Sequence, residues 1–283
     1  MTPDQYCAQC VAARGPHIQV ALRHLPVAPL HAANAVYAFA YELEKILDDC
    51  HDAGVAQTKF EWWREELLRL FERAPRHPVS RALAPACATH GFQREPLLEL
   101  LEATRATFGR VRVPDVETLR THCRQMAVPQ SLAARVFGVT DPATLQHAQA
   151  LGAALRFAAL LCDLGHDVRR DRLHLPAQDL QQFDVSESDL LASHHTFKFE
   201  SLMTFEFERA RNWFDEAFQM LPAADRERQQ PGLIMANLAR ARLDEVRRDR
   251  YRVLEQRIVL PPLRQHWIAW TTRWREYHRR HAA

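Results

Sequence analysis

The chain has 283 residues, 47% hydrophobic and 25% charged, with 37 Lys and Arg against 35 Asp and Glu for a formal charge of +2. Eight glycines beside 16 prolines disfavour a glycine-rich phosphate loop or a many-stranded fold with tight turns, and the near-neutral balance removes the basic face that nucleic-acid binding requires. A chain this long can bury most of the surface its unfolded form exposes, so the expectation is an all-α globular protein.

The first fifteen residues, MTPDQYCAQCVAARG, lack the basic start, apolar run and small-residue cleavage site of a secretory signal. Six scattered cysteines, at 7, 10, 50, 87, 123 and 162, fit a reducing compartment. Cys7-Ala-Gln-Cys10 is a lone pair without a second pair at zinc-site spacing and is read as chance. Helical periodicity begins at 16 and predicts helices over 16–24, 28–50, 57–73, 78–90 and 94–108. It continues over 115–138, with an irregularity at Pro129, then 142–168, 176–183, 187–220, 230–256 and 262–279. Prolines mark most of the joints. The apolar run Leu151–Cys162 is interrupted by Arg156 and falls short of the ~20 residues that span a bilayer, so the protein is expected in the cytoplasm. The solvated stretch 223–230 is too short to separate domains, and 1–283 reads as one domain.

The tail from Trp267 to His281 interleaves Trp267, Trp270, Trp274 and Tyr277 with Arg273, Arg275, Arg279 and Arg280 at helical spacing. It reads either as a membrane-surface helix or as a terminal helix laying its aromatic stripe on the core, and packing is the favoured expectation. No Gly-x-Ser-x-Gly, Walker or Rossmann fingerprint occurs. The adjacent pair His194-His195 diverges on a helix and makes a poor metal site.

Two acidic constellations stand out. On the long second helix Tyr37, Tyr41, Glu44 and Asp48 share one face, and downstream Arg156, Ala159, Asp163 and Asp167 repeat the arrangement. Both pairs lie in strongly apolar helices, where an unpaired inward carboxylate is costly. Four such carboxylates facing each other across a bundle can hold Mg²⁺ ions that bridge to a diphosphate. Solvent-facing charges on amphipathic helices are the alternative.

The chain resembles the squalene/phytoene synthase family over most of its length. GPHIQVALRHLP (15–26) is similar to that family's flap and first helix, YAFAYELEKILD (37–48) to its first aspartate-rich motif, and HCRQMAVPQSLAARVFG (122–138) to its central helix, especially in the hopanoid branch. LRFAALLCDLGHDVRRDRLHLPAQDL (155–180) is similar to the second aspartate-rich motif and its following signature, and RVLEQRIVLPPLRQHWIA to the carboxy-terminal region. The resemblance implies a single-domain isoprenoid-synthase helical bundle around a central cavity. It implies Mg²⁺-dependent transfer with head-to-head condensation of farnesyl or geranylgeranyl diphosphate in isoprenoid biosynthesis. By match, Glu44 and Asp48 form the first metal pair and Asp163 and Asp167 the second, while Arg172 contacts diphosphate. Asp163, Asp167 and Tyr41 make up the implied catalytic set, with Phe39, Phe157 and Tyr41 shielding the carbocation.

The departures carry information too. The first motif reads Glu44-Lys45-Ile-Leu-Asp48 where the family has Asp-Asp-x-x-Asp, the family's Arg one turn earlier is Tyr41, and Arg156 and Ala159 stand for Gln and Asn. One reading is a re-plumbed site in which Arg156 supplies the cation for diphosphate that Tyr41 does not provide, and Lys45 neutralises charge that a metal would cover. The other is a catalytically lapsed member acting as an assembly or interaction protein, for which the mitochondrial complex I assembly factor resembling this family is a precedent. A salt-bridge network of the same acids with Arg156, Lys45 and Arg169 or Arg170 needs no metal. A prenyl diphosphate substrate, no nucleic acid, and peripheral contact with the inner membrane through the C-terminal helix complete the expectations.

Overall fold

A computed structural model describes residues 1–281, with the side chains of Arg280 and His281 in the predicted tail outside the described residues. It confirms the all-α expectation: fifteen α-helices accompany one two-stranded sheet.

The chain opens with a helix that periodicity did not announce, α1 (Pro3–Arg14). Its signal is local: the Thr2 hydroxyl accepts the Gln5 N–H, the Gln5 side chain accepts the Thr2 N–H in return, and Pro3 sits in the first turn. Then follow α2 (Pro16–Leu22), α3 (Val27–Asp49), α4 (Ala53–Phe71), α5 (Pro78–His90) and α6 (Arg94–Ala106). The fourth helix starts four residues earlier than predicted because Asp52 caps it through the Val55 N–H, and α5 stops at Gly91, whose φ of 64° is left-handed.

The predicted 115–138 helix is two, α7 (Val116–Gln125) and α8 (Val128–Phe137), because Pro129 lies in the first turn of a new helix. The predicted 142–168 helix also divides, into α9 (Ala143–Cys162) and α10 (Leu164–Val168), with Asp163 at the joint. Strands β1 (Val111–Val113) and β2 (Arg172–Pro176), absent from the prediction, pair in parallel with Val111 opposite Arg172 and an irregularity after Arg112. The chain continues through α11 (Ala177–Gln182), α12 (Glu187–Leu191), α13 (Phe197–Gln219), α14 (Gln230–Arg248) and α15 (Pro262–His281).

One hydrophobic cluster gathers residues of α1 to α6 and α8, and a second gathers α7 and α9 to α13. Helices α9 and α14 run between them. The crossing of α8 and α9 depends on Gly152, where a Cβ would lie 2.6 Å from that of Ala127. Just past the α9–α10 joint, a Cβ on Gly165 would lie 2.7 Å from Leu254 Cα.

The expectation that α15 packs its aromatic stripe on the core is overturned. Trp267, Trp270, Trp274 and Tyr277 are 53–63% exposed, while Gln265, Ala269 and Thr272 form the buried side. The helix is held in this rotation by polar contacts on its small-residue face: the Asn237 amide donates to Thr272 Oγ1 at 2.9 Å and Gln265 Nε2 to the Leu260 carbonyl at 2.7 Å. Among the described residues no helix is long and apolar enough to cross a membrane.

Candidate active site

Between α3, α8, α9 and α14 lies a cavity of about 480 Å³. Three helices contribute one face each: Tyr37, Tyr41 and Glu44 from α3; Gly152, Leu155, Arg156, Ala159 and Asp163 from α9 and its end; and Met235, Leu238 and Arg242 from α14. The three- and four-residue steps are those that align side chains on one side of a helix. The lining mixes apolar and ionic side chains: Leu155, Met235 and Leu238 stand beside Glu44, Arg156, Asp163 and Arg242. The buried Tyr37 hydroxyl satisfies itself by donating to Gln130 Oε1 at 2.7 Å. Burial, then the charge of Glu44, raises the Tyr41 phenol well above its ordinary value, so it stays protonated. Tyr41 packs over Gly15, where any Cβ would collide with its hydroxyl.

Every predicted acidic ligand has an arginine. Glu44 Oε1 accepts from Arg156 Nη1 at 3.0 Å. Asp163 takes two guanidinium groups, Arg242 at 2.7 Å and Arg257 at 2.9 and 3.2 Å. Asp48 accepts from Arg14 Nη2 at 2.9 Å, and Arg172 lies between Asp167 at 3.0 Å and Asp48 at 4.0 Å. Burial raises the Glu44 carboxyl above its usual range against the pull of Arg156. Burial also pushes Asp167 upward, and the contacts from His166, His174 and Arg172 outweigh it, leaving that carboxyl low.

The break at Asp163 separates the second pair. Asp163, in the joint, lines the cavity and turns to α14, whereas Asp167, on α10, turns to β2. Alternation along β2 presents Arg172 and His174 together. His174 stacks on His122 with ring centroids 5.4 Å apart. Burial and the field of Arg156 lower His174 to about 4 and His122 to about 3, so two neutral rings meet without repulsion.

The four carboxylates that the resemblance makes Mg²⁺ ligands do not converge: among the described residues no three metal-ligating side chains come together, and Glu44 and Asp163 line the cavity while Asp48 and Asp167 do not. Guanidinium groups engage both oxygens of Asp163 and one oxygen each of Glu44, Asp48 and Asp167. Of the expected salt-bridge partners Arg156 pairs with Glu44, whereas Lys45, Arg169 and Arg170 pair with none of the four carboxylates among the described residues. Arg169 bonds the Leu254 carbonyl and Arg170 reaches the Asp48 carbonyl.

Other expected residues are dispersed. Arg156 and Tyr41 line the cavity, but Lys45 points to the far side of α3, beside Lys59 and Trp62, because one position after Glu44 turns about 100° around the helix. Phe39 is core, edge-on to Trp63, and Phe157 packs on Trp213. Neither faces the cavity. The residues that sequence reasoning missed are Arg14, Arg242 and Arg257. Arg242 had a signal: it follows Met235, Leu238 and Ala239 on α14 at helical spacing. Arg14 and Arg257 reach the cavity only through tertiary folding.

The family profile for squalene/phytoene synthase matches residues 12–264. The chain is 27% identical over 270 residues to the 15-cis-phytoene synthase of Synechocystis, covering 91% of this chain and 80% of that one. To the 15-cis-phytoene synthase of Synechococcus elongatus it is 26% identical over 272 residues, covering 92% and 88%. Its fold superposes on a dehydrosqualene synthase with a TM-score of 0.86 at 21% identity, covering 96% of both chains. On the squalene synthase HpnC from Alicyclobacillus acidocaldarius the TM-score is 0.76 at 25% identity, covering 88% and 94%. The family profile spans most of the chain and the fold agrees with it, and the chain belongs to the squalene/phytoene synthase family.

Proposed function

We propose that the protein is a transferase of isoprenoid biosynthesis that binds prenyl diphosphates and joins their chains, as its relatives named phytoene and squalene synthase do. One observation carries this reading: a single cavity is lined both by apolar side chains and by four arginines, Arg14, Arg156, Arg242 and Arg257, the two chemistries of a prenyl diphosphate. Arg14, Arg156, Arg242 and Arg257 rest on carboxylates, and a diphosphate, with more oxygens in the same planar reach, competes for those guanidinium forks. They orient the leaving group and meet the charge that grows on it as the carbon–oxygen bond breaks. The prenyl chain lies against Leu155, Met235 and Leu238, which exclude water, while the rings of Tyr37 and Tyr41 face the developing allylic cation. Because both substrate and hydrocarbon product partition into bilayers, this chemistry belongs at a lipid surface.

The test is incubation of the purified protein with geranyl, farnesyl and geranylgeranyl diphosphates, with and without NADPH, in MgCl₂ or in chelator. Diphosphate release and the hydrocarbon formed are both scored. Release with a coupled C30 or C40 product is expected. A demonstrably folded protein that releases no diphosphate from any of them under any condition refutes the proposal.

A further inference from the structure

The exposed side of α15 is organised. Leu263 is 86% exposed, and Trp267, Trp270, Trp274 and Tyr277 follow with more than half of each side chain in solvent. At about 100° per residue these five positions fall in an arc roughly 80° wide. His266 and Arg273 border the arc on one side and Arg264 and Arg275 on the other. His24, beyond α2, lies close enough to Arg273, Arg23 and His266 for their charges to act on it. Arg23, Arg273 and Arg275 have no carboxylate partner among the described residues. The arc cannot simply roll inward, because the opposite side is tied to the Leu260 carbonyl, to Asn237 and, through Glu276, to Arg226. The stripe also adjoins the cavity. Four residues before Leu263, Val259 is 61% exposed and lines the cavity wall, as do Arg257 and Leu260.

We propose that this face of α15 docks on an anionic lipid bilayer and seats the cavity mouth, at Arg257–Leu260, on the membrane surface. Amphipathic rings settle at the boundary between headgroups and acyl chains, and the bordering arginines meet lipid phosphates. A second copy of this chain fits less well, because a two-fold pairing of the arc would bring its arginine borders against each other. Seating the mouth on the bilayer lets a prenyl chain pass between membrane and cavity without crossing water. That last step rests on the proposed function; the docking does not.

Flotation of the full chain with phosphatidylcholine vesicles, alone or containing phosphatidylglycerol, tests the docking. Binding to the anionic vesicles with a blue shift of tryptophan emission is expected. A loss of at least tenfold in affinity is expected for the triple variant Trp267→Ala, Trp270→Ala, Trp274→Ala, and loss of the anionic preference for Arg273→Glu with Arg275→Glu. All five positions lie on the outer part of the helix, so folding and diphosphate release in detergent stay at wild-type levels. Hydrogen exchange reads the mouth: amides of 256–260 become protected when anionic vesicles bind. Failure of the wild type to float, equal flotation of the triple variant, or a wild-type dimer that this variant dissociates overturns the docking. Unchanged exchange at 256–260 in a vesicle-bound protein overturns the seating. Absence of diphosphate release alongside normal flotation refutes the proposed function and leaves the docking standing.

Discussion

Substituting either partner of the Arg156–Glu44 pair separates two ways of holding a diphosphate. Arg156 Nη1 lies 3.0 Å from Glu44 Oε1, with side chains 19% and 31% exposed, and Arg156 Nε is buried without a partner among the described residues. That nitrogen is a donor without an acceptor. One charge-assisted hydrogen bond contributes about 1.5–3 kcal/mol, so Arg156→Ala weakens binding of inorganic diphosphate or a non-hydrolysable farnesyl thiodiphosphate by roughly 10- to 150-fold. Glu44→Gln has the opposite sign. It removes the charge that competes for Arg156 and leaves affinity unchanged or up to several-fold tighter. Isothermal titration of both variants, each in chelator and in MgCl₂, reads the two effects. If Glu44→Gln weakens binding tenfold or more, and chelator abolishes binding by the wild type, the carboxylates hold the ligand through a metal and the guanidinium account is wrong.

Other consequences follow from the packing. Gly165→Ala forces a methyl against Leu254 Cα and the Val253 carbonyl, both backbone, and is expected to lower unfolding stability by about 1–3 kcal/mol, read from a urea transition. Glu206 is fully buried beside Arg209 and Asp179, and burial raises its carboxyl from 4.5 to about 8. The folded state therefore holds a proton that the unfolded chain releases, and stability is lost as pH rises from 4.5 toward 8. Glu206→Gln flattens that slope, so denaturant midpoints of variant and wild type diverge in the variant's favour between pH 5 and 8; parallel curves would refute the assignment. Asp225, fully buried, accepts the Thr140 and Asp141 N–H groups and the Thr144 hydroxyl. Burial alone would raise this carboxyl, and these bonds hold it well below its usual range. Asp225→Ala is expected to cost about 2–4 kcal/mol at pH 7, an effect that shrinks as pH falls below the ordinary carboxylate range.

Helical periodicity located α3, α5, α6, α9 and α14, since each buries an apolar face long enough for the pattern to emerge. It passed over α1, whose helical signal lies in the Thr2–Gln5 cap, and over β1 and β2, which at three and five residues are too short for alternation to register. The site was half legible. Spacing along α3 and α9 brought Tyr41, Glu44 and Arg156 to the cavity, because one helix fixes their relative angles. It misplaced Asp167, because whether the helix continues through Asp163 is decided by β2 and by the backbone of Val253 and Leu254 against Gly165, the latter far away in the chain. Arg14 and Arg257 belong to the same category, being placed by docking of segments and not by local pattern.

The line of charges Arg14, Asp48, Arg172 and Asp167 joins α1, α3, β2 and α10 in a single relay. An anion that draws Arg14 off Asp48 leaves that carboxylate with Arg172 as its nearest cation, at 4.0 Å, and a tighter grip there loosens the one on Asp167. An anion bound at Arg14 would thereby bear on the short sheet, where Arg172 sits, through an exchange of partners.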